Sequence, residues 1–175
     1  VHVLEFLDRF GSPATVASAG GRYFGFVTGG AVPASLAANW LANTWDQNGF
    51  SSVSSPALAA FEDTALRWLK QALGLPASAG GALVTGATLA NFTCLAAARH
   101  QVLKNVGWDV EAQGLFSAPQ ITVVVGEEVH STVYKVLAML GLGRDRVLKL
   151  PVDDQGCIRA DNLPILNGPT ILCLQ

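Results

Sequence analysis

Two short stretches hold residue types able to do chemistry at a spacing that suits it. In the first, Gly86-Ala87-Thr88 separates the apolar run Ala82-Leu83-Val84-Thr85 from an alanine-rich, helix-patterned stretch over 89–104. Small residues at a helix start leave backbone N–H groups open, and the helix dipole adds positive potential, which together make an anion site. Gly86 and Ala87 let a phosphate approach the backbone, and the Thr88 hydroxyl adds a further hydrogen bond. Packing alone is the competing reading, since many strand–helix turns use small residues. Gly81 and Gly86 have the spacing of the two glycines of a P-loop, but Ala87-Thr88 stands where that motif needs Lys followed by Ser or Thr. A nucleoside-triphosphate site is therefore not expected, and no GxGxxG dinucleotide loop is present. The second stretch is Glu127-Glu128-Val129-His130, which follows a β-branched run over 121–125. His130 thus falls just past a strand end, where open α/β sheets bind ligands. A capped or hydrogen-bonded surface histidine is the plainer alternative. His2 and His100 read as ordinary surface residues.

The elements that must hold these residues are legible from pattern. Leu4–Phe10 reads as a short amphipathic helix, Arg22–Val27 as an aromatic, strand-like segment, and Pro33–Trp45 as a helix. A further helix starts at Ser55, with Pro56 at its first position, an apolar stripe through Phe61 and Trp68, and Gly74 and Pro76 closing it. Phe61 and Trp68 are expected to be packing residues. Strands are expected over 82–85, 121–125, 147–150 and 170–174. Ser131 is expected to cap a helix ending near Gly141, with a turn at Asp153–Gly156 and a short helical piece near Asp161–Leu166. Strands alternating with helices give an α/β fold, a mostly parallel sheet covered by helices in three layers.

Composition narrows the function classes. Of 175 residues, 50% are apolar and 14% charged, so the chain has the means to build a core. A net charge of −2 with no Lys/Arg cluster argues against nucleic acid as a partner. Cys94, Cys157 and Cys173 are odd in number and widely spaced, which favours free thiols in a reducing compartment, and neither a disulfide framework nor a metal site is expected. Two uncharged runs, 23–45 and 71–98, exceed the length of a membrane span, but Gly, Pro and Asn punctuate both. No membrane partner is expected, and no signal peptide is evident at Val1–Glu5.

Taken together, the run Thr85-Gly86-Ala87-Thr88-Leu89-Ala90-Asn91-Phe92-Thr93-Cys94 through Arg99 resembles the phosphate loop and helix of the group II pyridoxal-phosphate (PLP)-dependent decarboxylases, which include aromatic-amino-acid and glutamate decarboxylases. Glu128-Val129-His130-Ser131-Thr132-Val133 is similar to the segment whose histidine stacks on the cofactor ring, and Arg22–Phe26 with Pro33-Ala34 to the substrate-side segment. Gly20-Gly21 departs from the family, where many members have His-Pro. The resemblance spans essentially the whole chain. It implies the PLP-dependent transferase fold type I, with 1–55 as a substrate-side and dimer-contact region and 56–175 as part of the cofactor-binding large domain. It also implies PLP as cofactor, an amino acid as substrate, and a cytoplasmic homodimer. Gly86, Ala87 and Thr88 would bind the cofactor phosphate. His130 would stack on the ring and assist proton handling, and Phe26 and Thr28 would lie near the substrate, Phe26 serving the neighbouring chain.

In that family the lysine bonded to the cofactor and the acid facing the pyridine nitrogen lie beyond the segment matching 170–175. Lys70, Lys104, Lys135 and Lys149 match no such motif. The expectation is therefore a truncated chain, inactive alone, whose apolar strands would expose edges where later strands insert. Two other readings stay open: a non-catalytic remnant that binds phosphate ligands or a protein partner, and another fold type I enzyme such as an aminotransferase or aldolase.

Overall fold

The computed structural model describes residues 1–174, which form two compact units, 1–80 and 81–174. Helix α3 belongs to the first unit.

In that unit α1 (His2–Phe6) runs into a π-helical turn over Leu7–Gly11. Helix α2 (Pro33–Trp45) ends where Asp46 takes the left-handed conformation, φ 48°. Helix α3 (Pro56–Ala72) begins as its sequence dictates. Ser55 precedes Pro56, its side chain accepts the N–H of Leu58 at 3.5 Å, and Ser55 is fully buried. Gly74, at φ 65°, supplies the left-handed residue beyond the helix end. Trp45 and Phe61 stack with ring centroids 6.4 Å apart.

Two expectations fail here. Phe61 and Trp68 are 56% and 65% exposed, so they line a surface rather than a core. The Arg22–Val27 segment is not a strand, because Phe26 and Val27 have φ of 58° and 52°. A left-handed pair breaks an extended run, and a β-branched residue there is strained.

The second unit contains α4 (Ala87–Lys104), α5 (Val110–Gln113), β1 (Thr122–Gly126), α6 (Ser131–Met139), β2 (Leu148–Leu150) and β3 (Thr170–Cys173). The sheet order is β2-β1-β3, all parallel, with Val124 opposite Leu148 and Thr122 opposite Thr170. Central β1 is Thr-Val-Val-Val-Gly, and its three valines are buried. That is the continuous β-branched run required of a strand covered on both faces. Alternation sends Val123 and Val125 into one core with Leu95, Val136, Leu137, Leu140 and Ile171, while Val124, 1% exposed, faces the other way.

These three strands pair directly, with none interposed between them. Of the strands expected in this unit, Ala82–Thr85 does not form, and Leu83 there is 58% exposed. Its composition suits a strand, but no strand among the described residues pairs with it. At Gly126 an added Cβ would lie 3.0 Å from Ile158 Cγ1 and 3.3 Å from Val152 Cγ1, so glycine lets the Val152–Ile158 bridge close over the end of β1. The expected turn at 153–156 is present. Asp153 Oδ1 accepts the N–H groups of Gln155 and Cys157, and Gly156 has φ 80°. Among the described residues no helix is long and apolar enough to cross a membrane.

Candidate functional site at the helix starts of the second unit

Helices α4 and α6 lie side by side, and two hydrogen bonds fix their direction. Asn91 Nδ2 donates to Thr132 Oγ1 at 3.0 Å, and Arg99 Nη1 donates to the Leu140 carbonyl at 3.1 Å. Both partners advance by eight residues between the two contacts, so the helices run parallel and start at the same end. Helix α6 follows β1, which places both starts at the carboxyl ends of the parallel strands, the usual ligand-binding edge of such sheets.

At the start of α4, Gly86 is extended (φ 170°, ψ 167°) and no side chain caps the helix. The Gly86 carbonyl receives the N–H groups of Leu89 and Ala90. The N–H groups of Ala87 and Thr88, in the first turn, have no intrahelical acceptor. A Cβ at Gly86 would meet nothing within 4 Å. Thr85, Gly86, Ala87, Thr88, Leu89, Phe92 and Met139 line a cavity of about 440 Å³. Open N–H donors, a helix dipole, a hydroxyl and free space beside the glycine fit the phosphate of a cofactor.

At the start of α6, His130 and not Ser131 is the N-cap. Its Nδ1 accepts the backbone N–H of Thr132 at 3.3 Å and lies 2.9 Å from Thr132 Oγ1. The sequence reading favoured the serine because hydroxyls are the commoner caps. His130 borders a second cavity of about 480 Å³, with Asn91, Cys94, Val129, Val133 and Cys173 among its lining. Burial pushes the Cys173 thiol above its ordinary value. The phosphate-type cradle and His130 therefore open on separate cavities, and the contact between Asn91 and Thr132 joins them.

Phe26 and Thr28 lie in the first unit, on an exposed turn segment, with Phe26 92% exposed. None of the lysines lines either cavity. Lys70 Nζ donates to the carbonyls of Ala77 and Ala79, and Lys149 Nζ sits 5.5 Å from the centroid of the Tyr134 ring. Among the described residues no group of three or more His, Cys, Asp or Glu could hold a metal ion. Asn91 and Thr132 were missed by the sequence reading. The available signal was a lone amide on an alanine-rich helix, one turn past the glycine loop.

The family model for the pyridoxal-dependent decarboxylase conserved domain matches residues 16–166. Solved structures match over most of the chain. Mouse CSAD in its apo form aligns with a TM-score of 0.79 at 23% identity, covering 91% of this chain and 33% of that one. The glutamate decarboxylase domain of the Vibrio parahaemolyticus diaminobutyrate-pyruvate transaminase and L-2,4-diaminobutyrate decarboxylase aligns with a TM-score of 0.81 at 18% identity, covering 90% and 35%. Oryza sativa TDC with PLP and tryptamine aligns at 0.73 and 26% identity, covering 88% and 32%. The chain thus spans about a third of the length of these solved chains, and its helices and small parallel sheet are those of part of a fold type I domain.

Proposed function

We propose, from the premise that this chain belongs to the pyridoxal-dependent decarboxylase family, that it forms the phosphate-holding and ring-holding part of a PLP-dependent amino-acid decarboxylase. The observation that carries this reading is the shared end of α4 and α6, which sets an uncapped helix start beside a histidine. The N–H groups of Ala87 and Thr88 and the Thr88 hydroxyl would hold the phosphate at Gly86, where a side chain would occupy the open space. His130 would lie against the pyridine ring and hold or pass a proton at the substrate. When bound, PLP supplies an electron sink for the pair released as the α-carboxylate leaves.

Residues 1–55 would form the substrate-side and dimer-contact region and 56–175 the cofactor part. Phe26 and Thr28 would serve the substrate pocket of a cytoplasmic homodimer, Phe26 that of the neighbouring chain. In such a reducing compartment Cys94, Cys157 and Cys173 would stay free thiols.

Absorbance titration with PLP against pyridoxal, which lacks the phosphate, tests the cradle. PLP is expected to bind saturably, with inorganic phosphate competing. Thr88→Val should weaken it roughly 10-fold or more, the loss of one hydrogen bond to a charged group. Pyridoxal binding as well as PLP, untouched by phosphate, would overturn the reading.

A further inference from the structure

We propose that Asn91 and Thr132 are positioning residues that hold the His130 imidazole in its Nε2–H form and in register with the Gly86–Thr88 loop. This inference rests on reading that loop and His130 as one cofactor site.

The tautomer follows from hydrogen-bond bookkeeping at one nitrogen. The backbone N–H of Thr132 can only donate, and at 3.3 Å it points at His130 Nδ1. That nitrogen must therefore present its lone pair. Thr132 Oγ1 lies 2.9 Å from the same Nδ1 and already accepts from Asn91 Nδ2 at 3.0 Å. Facing an Nδ1 that presents its lone pair, the hydroxyl turns its single hydrogen toward it while an oxygen lone pair receives the amide. Both contacts at Nδ1 are donations to it, so the neutral ring keeps its hydrogen on Nε2. Nε2 engages no group among the described residues and is left to donate to whatever enters beside the ring.

Position follows from where Asn91 sits. It lies four residues after Ala87 and three after Thr88 on α4, spacings that stack on one helix face. A single amide thus connects the helix that carries the cradle to the cap that carries the histidine, across 41 residues of sequence. Rotation or sliding of one helix against the other would break the contact that orients the Thr132 hydroxyl toward the ring.

His100 supplies an internal control of opposite sign. Its Nδ1 lies 2.6 Å from a Glu111 carboxylate oxygen, which only accepts, so His100 carries hydrogen on Nδ1.

The test is a long-range ¹H–¹⁵N correlation spectrum of the ¹⁵N-labelled chain, taken about 2 pH units above the ordinary imidazole pKa. His130 is expected as Nε2–H and His100 as Nδ1–H. Thr132→Val and Asn91→Leu should each raise the Nδ1–H fraction of His130 about threefold or more, the worth of one hydrogen bond. Thr132→Ser should restore the original pattern while keeping the helix start intact. His130 as Nδ1–H, or evenly mixed, in the unaltered chain would overturn the inference without any variant. So would ring ¹⁵N shifts that stay put in folded Thr132→Val and Asn91→Leu. Because the spectrum needs no cofactor, a wrong tautomer combined with phosphate-dependent PLP binding sinks this inference alone. An Nε2–H tautomer combined with phosphate-independent binding sinks the cradle reading instead.

Discussion

Cys173 shows how a single residue reports on the site's surroundings. Its half-buried thiol is held above the ordinary cysteine value by desolvation of the thiolate. Less thiolate exists at any given pH, so alkylation of Cys173 by iodoacetamide should reach half its plateau rate at a higher pH than free cysteine does. Mass-spectrometric rates across pH check this, and a midpoint at or below that of free cysteine would contradict the burial. At the same scale, sequence singled out Gly86, Ala87 and Thr88 as a loop of anion-suited types and His130 by its place just past a strand end. The hydrogen bonds that orient them were not legible. The bond between Asn91 and Thr132 joins residues far apart in the chain, and nothing local in either stretch specifies the other. His130 displaced Ser131 as cap because its Nδ1 is placed to accept the same kind of N–H that a hydroxyl would.

At the scale of elements, local signals decided well wherever the element closes its own hydrogen bonds. Helix α3 is the plainest case, with Ser55, Pro56 and Gly74 each where a start or stop requires them. Ser55→Ala should cost about 1 kcal/mol of stability, with Ser55→Gly costing a few tenths. Urea unfolding measures both, and an unchanged midpoint for the alanine variant would contradict the cap. Strands were less legible because a strand is completed by its neighbours. β1 and β3 were recognisable since each is apolar and β-rich, and in the folded chain they pair with each other. Ala82–Thr85 has similar composition yet forms no ladder, because pairing is decided by partners and not by the segment itself. The segment over 22–27 failed for a different reason. Its alternation was read as extended, while Phe26 and Val27 adopt left-handed dihedrals.

For the whole molecule, the fold class was legible from the order of strands and helices, and the placement of the core was only partly so. Burial concentrates in the second unit. Before Gly81, Ser55 alone among the described residues is buried; Leu58 and Leu66 of α3 are half-buried, and Trp40 of α2 and Trp68 of α3 stand exposed. Sequence period identifies which face of a helix is apolar, but not whether something covers it. Regions with few buried contacts open with small free energies. Native-state hydrogen exchange should therefore show the slowest amides in β1 and around Val136–Leu137, and much faster exchange throughout α2 and α3. Equal protection in the two units would contradict this distribution of the core.

On the proposed reading, the start of α4 would hold the phosphate of PLP with His130 against the ring. Backbone amide ¹H–¹⁵N shifts of the 175-residue chain, followed as PLP is added, test it at the atoms concerned. The amides of Gly86, Ala87 and Thr88 are expected to move first and furthest, with His130 moving alongside, and inorganic phosphate to reproduce the shifts at 86–88 but not at His130. Shifts confined to other parts of the chain, or none at these four residues at saturating PLP, would contradict it.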